Sequence, residues 1–305
     1  MRKKNRWFGR AEVVGLAFAT PWLIGLIVFG LYPIAASFYL SLCRYNIVRP
    51  PLFTGLENYR LLIFDDPHFW KSLWNTLYLT AFGLPVQLIA ALTAALALNA
   101  RVKGQPLFRS VIYLPTVVPS VATAIIWVWI LNPEYGLFNA ALSWFGINGP
   151  GWLTDPAWSK PALIIVGIWG IGNTAIIFLA GLQQVPQSLY EAAIVDGANT
   201  WQRFCNVTIP ILSPVVFFNL VMGIIGSFQY FTHVYVMTAG LMGGGRGAGG
   251  PEFSTLVYPL YLYQNAFLFF RMGYASAMAW IMFLIVALIL VVVFRTSKWV
   301  HYESA

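Results

Sequence analysis

The sequence predicts an all-α membrane protein with six transmembrane helices. Only 9% of its residues are charged and 59% are hydrophobic, whereas a soluble domain carries about 25% charged residues. The few charges also divide the chain into six charge-poor stretches. Each is long enough for the roughly 20 residues that cross a hydrocarbon core of about 30 Å. Six spans use most of the 305 residues, so no separate soluble domain is expected.

The third predicted span carries two residues that interrupt helices. In chain order, the predicted spans cover about 14–37, 73–98, 111 to just before 134, 162–182, 215–238 and 273–294. The third contains Pro115 and Pro119, which free backbone groups that lipid cannot satisfy. Either neighbouring helices or a wet cavity should satisfy these groups, or the prolines simply kink the span.

The distribution of basic residues predicts that both termini are cytoplasmic. In that orientation the inner segments are 1–12, 101–109, 184–213 and 295–305, and the outer segments are 42–71, 132–160 and 242–271. The inner segments hold 11 Lys and Arg and the outer segments hold 7, as the positive-inside rule favours. The net charge of +8 is therefore interpreted as topology, and no nucleic-acid partner is expected. The first span is expected to remain uncleaved, because no A-x-A site follows it.

A polar hairpin is predicted between the fourth and fifth spans. Ser188 and Glu191 have the spacing of a capping box, which predicts that a helix begins there. Gly197 stands where such a helix would end in a left-handed residue, and Thr200 is predicted to cap a second helix.

The charges of this hairpin should keep it out of the bilayer. Glu191, Asp196 and Arg203 lie within about a dozen residues of each other, and each would cost about 2.5–3.5 kcal/mol at the centre of a span. A hairpin that does not itself span the membrane is interpreted as a docking surface.

The hairpin resembles the EAA motif of permease subunits from bacterial binding-protein-dependent ABC importers. The residues at the motif's spacing are Glu191, Ala192, Ala193 and Gly197, followed by Pro210, and Asp196 is similar to the longer form of the motif in sugar permeases. The surrounding pattern is similar to carbohydrate permeases of the maltose and glycerol-phosphate kind, and the likeness extends from about Trp74 to Phe294. Val207 and Ile209 are conservative departures from the Ile and Leu more usual there.

The resemblance implies a type I ABC importer permease in the bacterial cytoplasmic (inner) membrane. The transmembrane domain would be 72–295, with the coupling loop at 184–213; it would follow an amino-terminal region, 1–71, and precede a tail, 296–305. Such a permease translocates a sugar or sugar-like solute by alternating access. Its implied partners are a second permease subunit, two ATPase subunits and an extracytoplasmic substrate-binding protein. ATP and Mg would be bound by the ATPase subunits, with no cofactor in this chain.

A substrate path is predicted among the third, fourth and fifth spans. The candidate residues are Thr116, Ser120, Trp169, Gly170, Asn173, Gly223, Gly226, Ser227 and Tyr230. All but Tyr230 match positions that look onto the sugar in the maltose permease. Tyr230 is added because it continues the spacing of three and four residues on one helix face. The alternative is ordinary packing, because small residues are common where membrane helices meet.

No motif predicts catalysis or nucleotide binding. Gly245, Gly247 and Gly250 fit G-x-G-x-x-G, but the dinucleotide interpretation is rejected because no βαβ unit surrounds them. The sequence lacks G-K-[ST] and any cluster with metal-ligand spacing, so the chain is not expected to be an enzyme. His233 either faces a cavity or reaches interfacial water.

A stand-alone secondary carrier or channel is the alternative function. It predicts inverted repeats or intramembrane charges, and the sequence has neither.

Overall fold

The structure is a computed structural model that describes residues 10–100, 103–239 and 248–300. These residues are mostly helical, with one short two-stranded ribbon. Within these ranges, four helices are long and apolar enough to cross a membrane, and two bent helix pairs bring the number to six if each pair is one span. The predicted all-α membrane class is confirmed.

The spans have the following bounds. The first span is Val14–Ser41, the second is Pro67–Asn99, the fifth is Thr200–Ser227 and the sixth is Met272–Arg295. The third span is Gln105–Val117 followed by Ser120–Ile130, and the fourth is Pro156–Trp169 followed by Gly172–Gln183.

Shorter elements lie inside and between these spans. The helix of the first span begins at Arg10, and π-helical turns interrupt spans at Ile27–Leu31, Leu79–Gly83 and Phe204–Thr208. The other helices are Glu57–Arg60, Leu137–Ser143, Gln187–Val195, Thr232–Ala239 and Tyr258–Tyr263, with π turns at Leu61–Asp65 and Gln264–Leu268 and 3₁₀ turns at Pro251–Phe253 and Ser297–Trp299. The strands are Cys43–Arg44 and Leu52–Phe53, antiparallel with Cys43 opposite Phe53.

The described chain divides into two compact units. One contains the described residues of 1–64 together with 265–280. In it, the buried Asn58 side chain donates to the carbonyl oxygens of Ser41 and Cys43, at 2.8 and 2.9 Å. The Trp280 indole donates to Ser37 Oγ at 3.2 Å. These bonds tie the ribbon and the start of the sixth span to the end of the first.

The other unit contains the described residues of 65–264 and of 281–305. Its apolar core has two clusters. One is built from the second, fourth and fifth spans by residues that include Ala91, Leu98, Phe178, Leu182 and Leu212. The other joins the ends of the third and fourth spans to helix Thr232–Ala239 and the segment after it, through Trp127, Leu163, Val166, Met237 and Leu256. Along the fourth span, residues 167–173 lie between the two clusters.

The third span is interrupted at Val118 and Pro119. Val118 is extended, with φ −70° and ψ 130°, because Pro119 disfavours the helical region for the residue that precedes it. The helix resumes at Ser120, and the two halves differ in direction by 102°. The break is too sharp for a simple kink.

The fourth span bends by 52° between Trp169 and Gly172. A β-carbon at Gly172 would lie 2.6 Å from the Ile112 carbonyl oxygen and 2.7 Å from Thr116 Cγ2. The missing side chain therefore lets the bend pack directly on the backbone of the third span.

The fifth span differs from its prediction at both ends. It begins at Thr200 and ends at Ser227, whereas 215–238 was expected. The helix continues through Pro214, whose missing N–H leaves the Pro210 carbonyl without a backbone donor. Ser213 Oγ donates to that carbonyl at 2.7 Å instead. The glycine-rich segment is only partly visible, since residues 240–247 lie outside the described ranges.

Candidate functional site

A cavity of about 410 Å³ opens among the second, third, fourth and fifth spans. The nine predicted path residues all line it: Thr116, Ser120, Trp169, Gly170, Asn173, Gly223, Gly226, Ser227 and Tyr230. The two helix breaks explain why they meet. Thr116 and Ser120 flank the break in the third span, and Trp169, Gly170 and Asn173 flank the bend in the fourth.

The polar side chains of the cavity differ in how many hydrogen-bond donors and acceptors they leave available for a ligand. Ser227 Oγ donates to the Ile224 carbonyl at 2.8 Å and lies 2.8 Å from Thr80 Oγ1. A hydroxyl has one proton, so Ser227 is largely satisfied within the protein. Among the described residues, the exposed Asn173 side chain makes no hydrogen bond. Asn173 therefore offers its full set of donors and acceptors to the cavity.

Aromatic rings form part of the wall. Trp169 is 48% exposed and rests edge-on against Trp127, with ring centroids 5.9 Å apart. Tyr230 and His233 are stacked, with centroids 5.3 Å apart and planes 17° from parallel. Sugar rings can stack on such surfaces, and Trp169 presents the more open one.

The helical-face argument for Tyr230 was wrong, although the residue does line the cavity. The helix of the fifth span ends at Ser227, and a new helix begins at Thr232. Tyr230 therefore reaches the cavity from the break between the two helices. The structure also shows that His233 lines the cavity. Of the two environments expected for this histidine, a cavity and interfacial water, it is therefore in the first.

The glycines of the cavity have two different roles. A β-carbon at Gly223 would lie 2.2 Å from Leu84 Cδ1, while one at Gly226 would meet nothing within 4 Å. Gly223 thus packs closely against Leu84 of the second span, as the packing alternative expected, and a β-carbon there would force the Leu84 side chain to move. Gly226 faces open space.

Sequence reasoning missed the contribution of the second span. Leu79, Gly83, Leu84 and Gln87 also line the cavity, whereas the predicted path used only the third to fifth spans. The signal that could have found this wall is Gln87 itself, a carboxamide inside an otherwise apolar stretch.

The polar hairpin forms as two helical arms joined by a tight turn. The Ala198 N–H donates to the Ala193 carbonyl at 2.9 Å, and the Gly197 N–H donates to the Ile194 carbonyl at 3.0 Å. This pair of bonds is a Schellman motif, and Gly197 has the left-handed φ of +76° that it requires. The predicted role of Gly197 in ending the helix is confirmed.

The predicted helix starts in the hairpin were wrong. The first arm begins at Gln187 after Pro186, with no side-chain cap from Ser188 or Glu191. Proline is an adequate start because its missing N–H needs no partner. The second arm is capped by Asn199 rather than Thr200, in a capping box with Gln202 whose two bonds measure 2.9 and 2.8 Å.

The hairpin exposes both apolar and acidic groups. Val195, Trp201 and Ile194 are 86, 70 and 53% exposed, and Glu191 and Asp196 are exposed as well. Within the described ranges neither carboxylate has an ion-pair partner. Between the arms lies a second cavity, of about 520 Å³, lined in part by Ala192, Ala193 and Asp196. Pro210 is in the first turn of helix Ile209–Ser227, directly after the π-helical turn.

Comparisons with known proteins agree on the family. Residues 83–301 match the family model described as binding-protein-dependent transport system inner membrane component. The chain is 43% identical to the probable ABC transporter permease protein YesP of Bacillus subtilis over 99% of this chain and 96% of the relative. It is 36% identical to the lactose transport system permease protein LacF of Rhizobium radiobacter, over 94% and 95% of the two chains.

The fold is also similar to a solved structure. A chain of a bacterial ABC transporter involved in the import of the acidic polysaccharide alginate aligns with a TM-score of 0.77 at 24% identity, covering 95% of this chain and 96% of that one. The chain belongs to the family of binding-protein-dependent transport system inner membrane components, and is a multi-pass inner membrane permease that is not itself catalytic.

Proposed function

We propose that this permease carries a sugar or sugar-like solute through the cavity between its broken third and fourth spans. The observation that carries the proposal is the convergence of Asn173, Trp169 and Tyr230 on one cavity. A carboxamide that pairs with hydroxyls, beside aromatic rings that stack on a ring face, suits a sugar and not an ion. The relatives named for lactose and alginate transport support the same class.

The proposed assembly contains a second permease subunit, two ATPase subunits and an extracytoplasmic substrate-binding protein. The hairpin is proposed to dock on an ATPase subunit through Glu191, Ala192, Ala193, Asp196, Gly197 and Pro210. Its exposed apolar side chains and its acidic groups without ion pairs in the described chain support a role as an interface. Both termini would then be cytoplasmic, with the transmembrane domain at 72–295 following an amino-terminal region of 1–71.

The proposed mechanism is alternating access driven by the partner subunits. ATP and Mg would bind the ATPase subunits, whose closure moves the hairpin. The second arm is continuous with the fifth span from Thr200 to Ser227, so displacement of the hairpin is transmitted along a single helix to Gly226 and Ser227 at the cavity. The permease provides two states, and the partner's binding energy selects between them.

The proposal is tested in two steps. Thermal-shift screening of the cognate binding protein against a sugar panel of lactose, maltose, trehalose, arabinotriose and an alginate oligosaccharide should identify a stabilising sugar. That sugar should then accumulate in proteoliposomes containing the assembled complex. Stabilisation by amino acids or metal ions and by none of the panel would contradict the sugar assignment.

A further inference from the structure

The second span presents one continuous face to the cavity. Leu79, Gly83, Leu84 and Gln87 line it, at the short spacings that place residues on one side of a helix. The π-helical turn Leu79–Gly83 lies within this face. Such turns insert an extra residue and are frequent at functional sites. The face is thus built where the regular helix is interrupted.

Gln87 is the residue of this face with unused hydrogen-bonding capacity. It is half-buried, and its carboxamide makes no hydrogen bond among the described residues. An unsatisfied polar side chain in a membrane span is unfavourable unless it meets water or a ligand, and such residues commonly mark substrate pathways. The cavity is what Gln87 meets.

The position of the Gln87 carboxamide depends on Gly167 of the fourth span. A β-carbon at Gly167 would lie 2.2 Å from Gln87 Nε2 and 3.0 Å from Cδ. A β-carbon at Gly83 would lie 3.9 Å from the same nitrogen. The amide therefore rests over the bare backbone of Gly167, and any larger residue there would push it aside.

We propose that Gln87 is a specificity-determining residue of the transport path and that Gly167 is the positioning residue for it. The carboxamide has two donors and an acceptor, so it pairs with a sugar hydroxyl in either sense. This inference rests on the proposed function, and adds the second span to a path predicted only from the third to the fifth.

The test uses the full complex with its binding protein in proteoliposomes and the sugar panel as probes. Gln87→Met keeps length and removes hydrogen bonding, whereas Gln87→Asn keeps the amide. Gln87→Met should raise the apparent KM for the transported sugar about tenfold, as expected for one lost hydrogen bond. It should also change the relative uptake rates across the panel, and Gln87→Asn should lie between it and the wild type. Thr93→Val is the matched control: it is an exposed site on the same span, and within the described chain its hydroxyl bonds only to the Ile89 carbonyl. This variant should leave the KM and the relative uptake rates unchanged.

Gly167→Ala provides a second and independent readout. If Gly167 acts by positioning the carboxamide, the single variant Gly167→Ala should weaken uptake. The double variant with Gln87→Ala should then be no weaker than Gln87→Ala itself, because the effects of coupled residues are non-additive. Additive losses, or wild-type KM and panel ranking in Gln87→Met, would overturn the proposal. If Gln87→Met fails to copurify with its partners, the Gly167→Ala pair decides. Uptake of no sugar by the wild-type complex would instead remove the proposed function, and this inference with it.

Discussion

Gly172 packs directly on the backbone of Ile112, so closely that a β-carbon on Gly172 would lie 2.6 Å from the Ile112 carbonyl oxygen. This contact joins the bend of the fourth span to the third span just before its break. The cavity lies beside it, since Thr116 and Asn173, each within four residues of the contact, line the wall. The two interruptions are therefore in direct contact through the bare backbone of Gly172.

Gly172→Ala should destabilise the permease. The β-carbon would meet a backbone oxygen that cannot rotate away, and overpacking of this kind typically costs about 1–3 kcal/mol. Thermal unfolding in detergent should show a lowered midpoint. Gly25→Ala is the matched control, because nothing lies within 4 Å of a β-carbon at that helical glycine. Equal midpoints for the two variants would show that the contact is not tight.

Composition and charge were sufficient to predict a helical membrane protein, because a helix must be long and apolar to cross a bilayer. Within the described residues four helices meet that condition, and six do if each bent pair is one span. They were insufficient for the 102° bend in the third span, because Pro115 and Pro119 are also compatible with a simple kink. The close packing of Gly172 on Ile112 beside this bend is not visible in the sequence. In the hairpin, Asn199 and Thr200 are adjacent residues that both favour the N-cap. The Gln202 side chain, three residues after Asn199, decided the choice.

The grouping of the nine predicted residues around one cavity was predictable from resemblance, whereas the position of Gln87 in its wall was not. The predicted positions follow a known pattern on the third to fifth spans. The carboxamide in an otherwise apolar stretch was a signal, but the contacts of Leu84 with Gly223 and of Gln87 with Gly167 are tertiary relationships that periodicity does not contain.

Gly197→Trp should uncouple transport from ATP hydrolysis. A non-glycine residue at φ +76° carries a strain of about 1–2 kcal/mol, and the indole would project from the tip of the hairpin. Gly197→Ala has the same backbone strain without a bulky side chain, so it separates the effect of strain from the effect of the indole. The measurement is ATPase stimulation by liganded binding protein in the reconstituted complex. Normal stimulated transport by Gly197→Trp would exclude the hairpin as the coupling element.

Glu191→Ala should weaken assembly without destabilising the hairpin. The side chain is exposed and caps no helix in the structure, so no intramolecular stabilisation is lost. Copurification with the ATPase subunits should fall while thermal unfolding of the permease is unchanged. Glu134→Ala, an exposed acidic residue in the predicted outer loop, is the control. A lowered unfolding midpoint with normal copurification would indicate a structural role instead.

Asn173→Ala and Trp169→Ala should reduce sugar uptake while the complex still assembles. The first substitution removes the carboxamide of Asn173, and the second removes the Trp169 ring, whose residue is 48% exposed and lines the cavity. The measurement is the initial uptake rate of the sugar that stabilises the binding protein in the thermal-shift screen. Trp144→Ala is the control, since Trp144 is 85% exposed and lies away from the cavity. Unchanged kinetics in both cavity variants would place the path elsewhere.

The central claim is that this chain provides the path and its partners provide the energy. The most direct measurement compares accumulation of the panel sugar in proteoliposomes containing the whole complex or this permease alone, with ATP hydrolysis followed in parallel. The complex should accumulate sugar only with both ATP and binding protein present, and the permease alone should hydrolyse no ATP and accumulate nothing. Accumulation by the permease alone, driven by an ion gradient, would contradict the account and establish a secondary carrier.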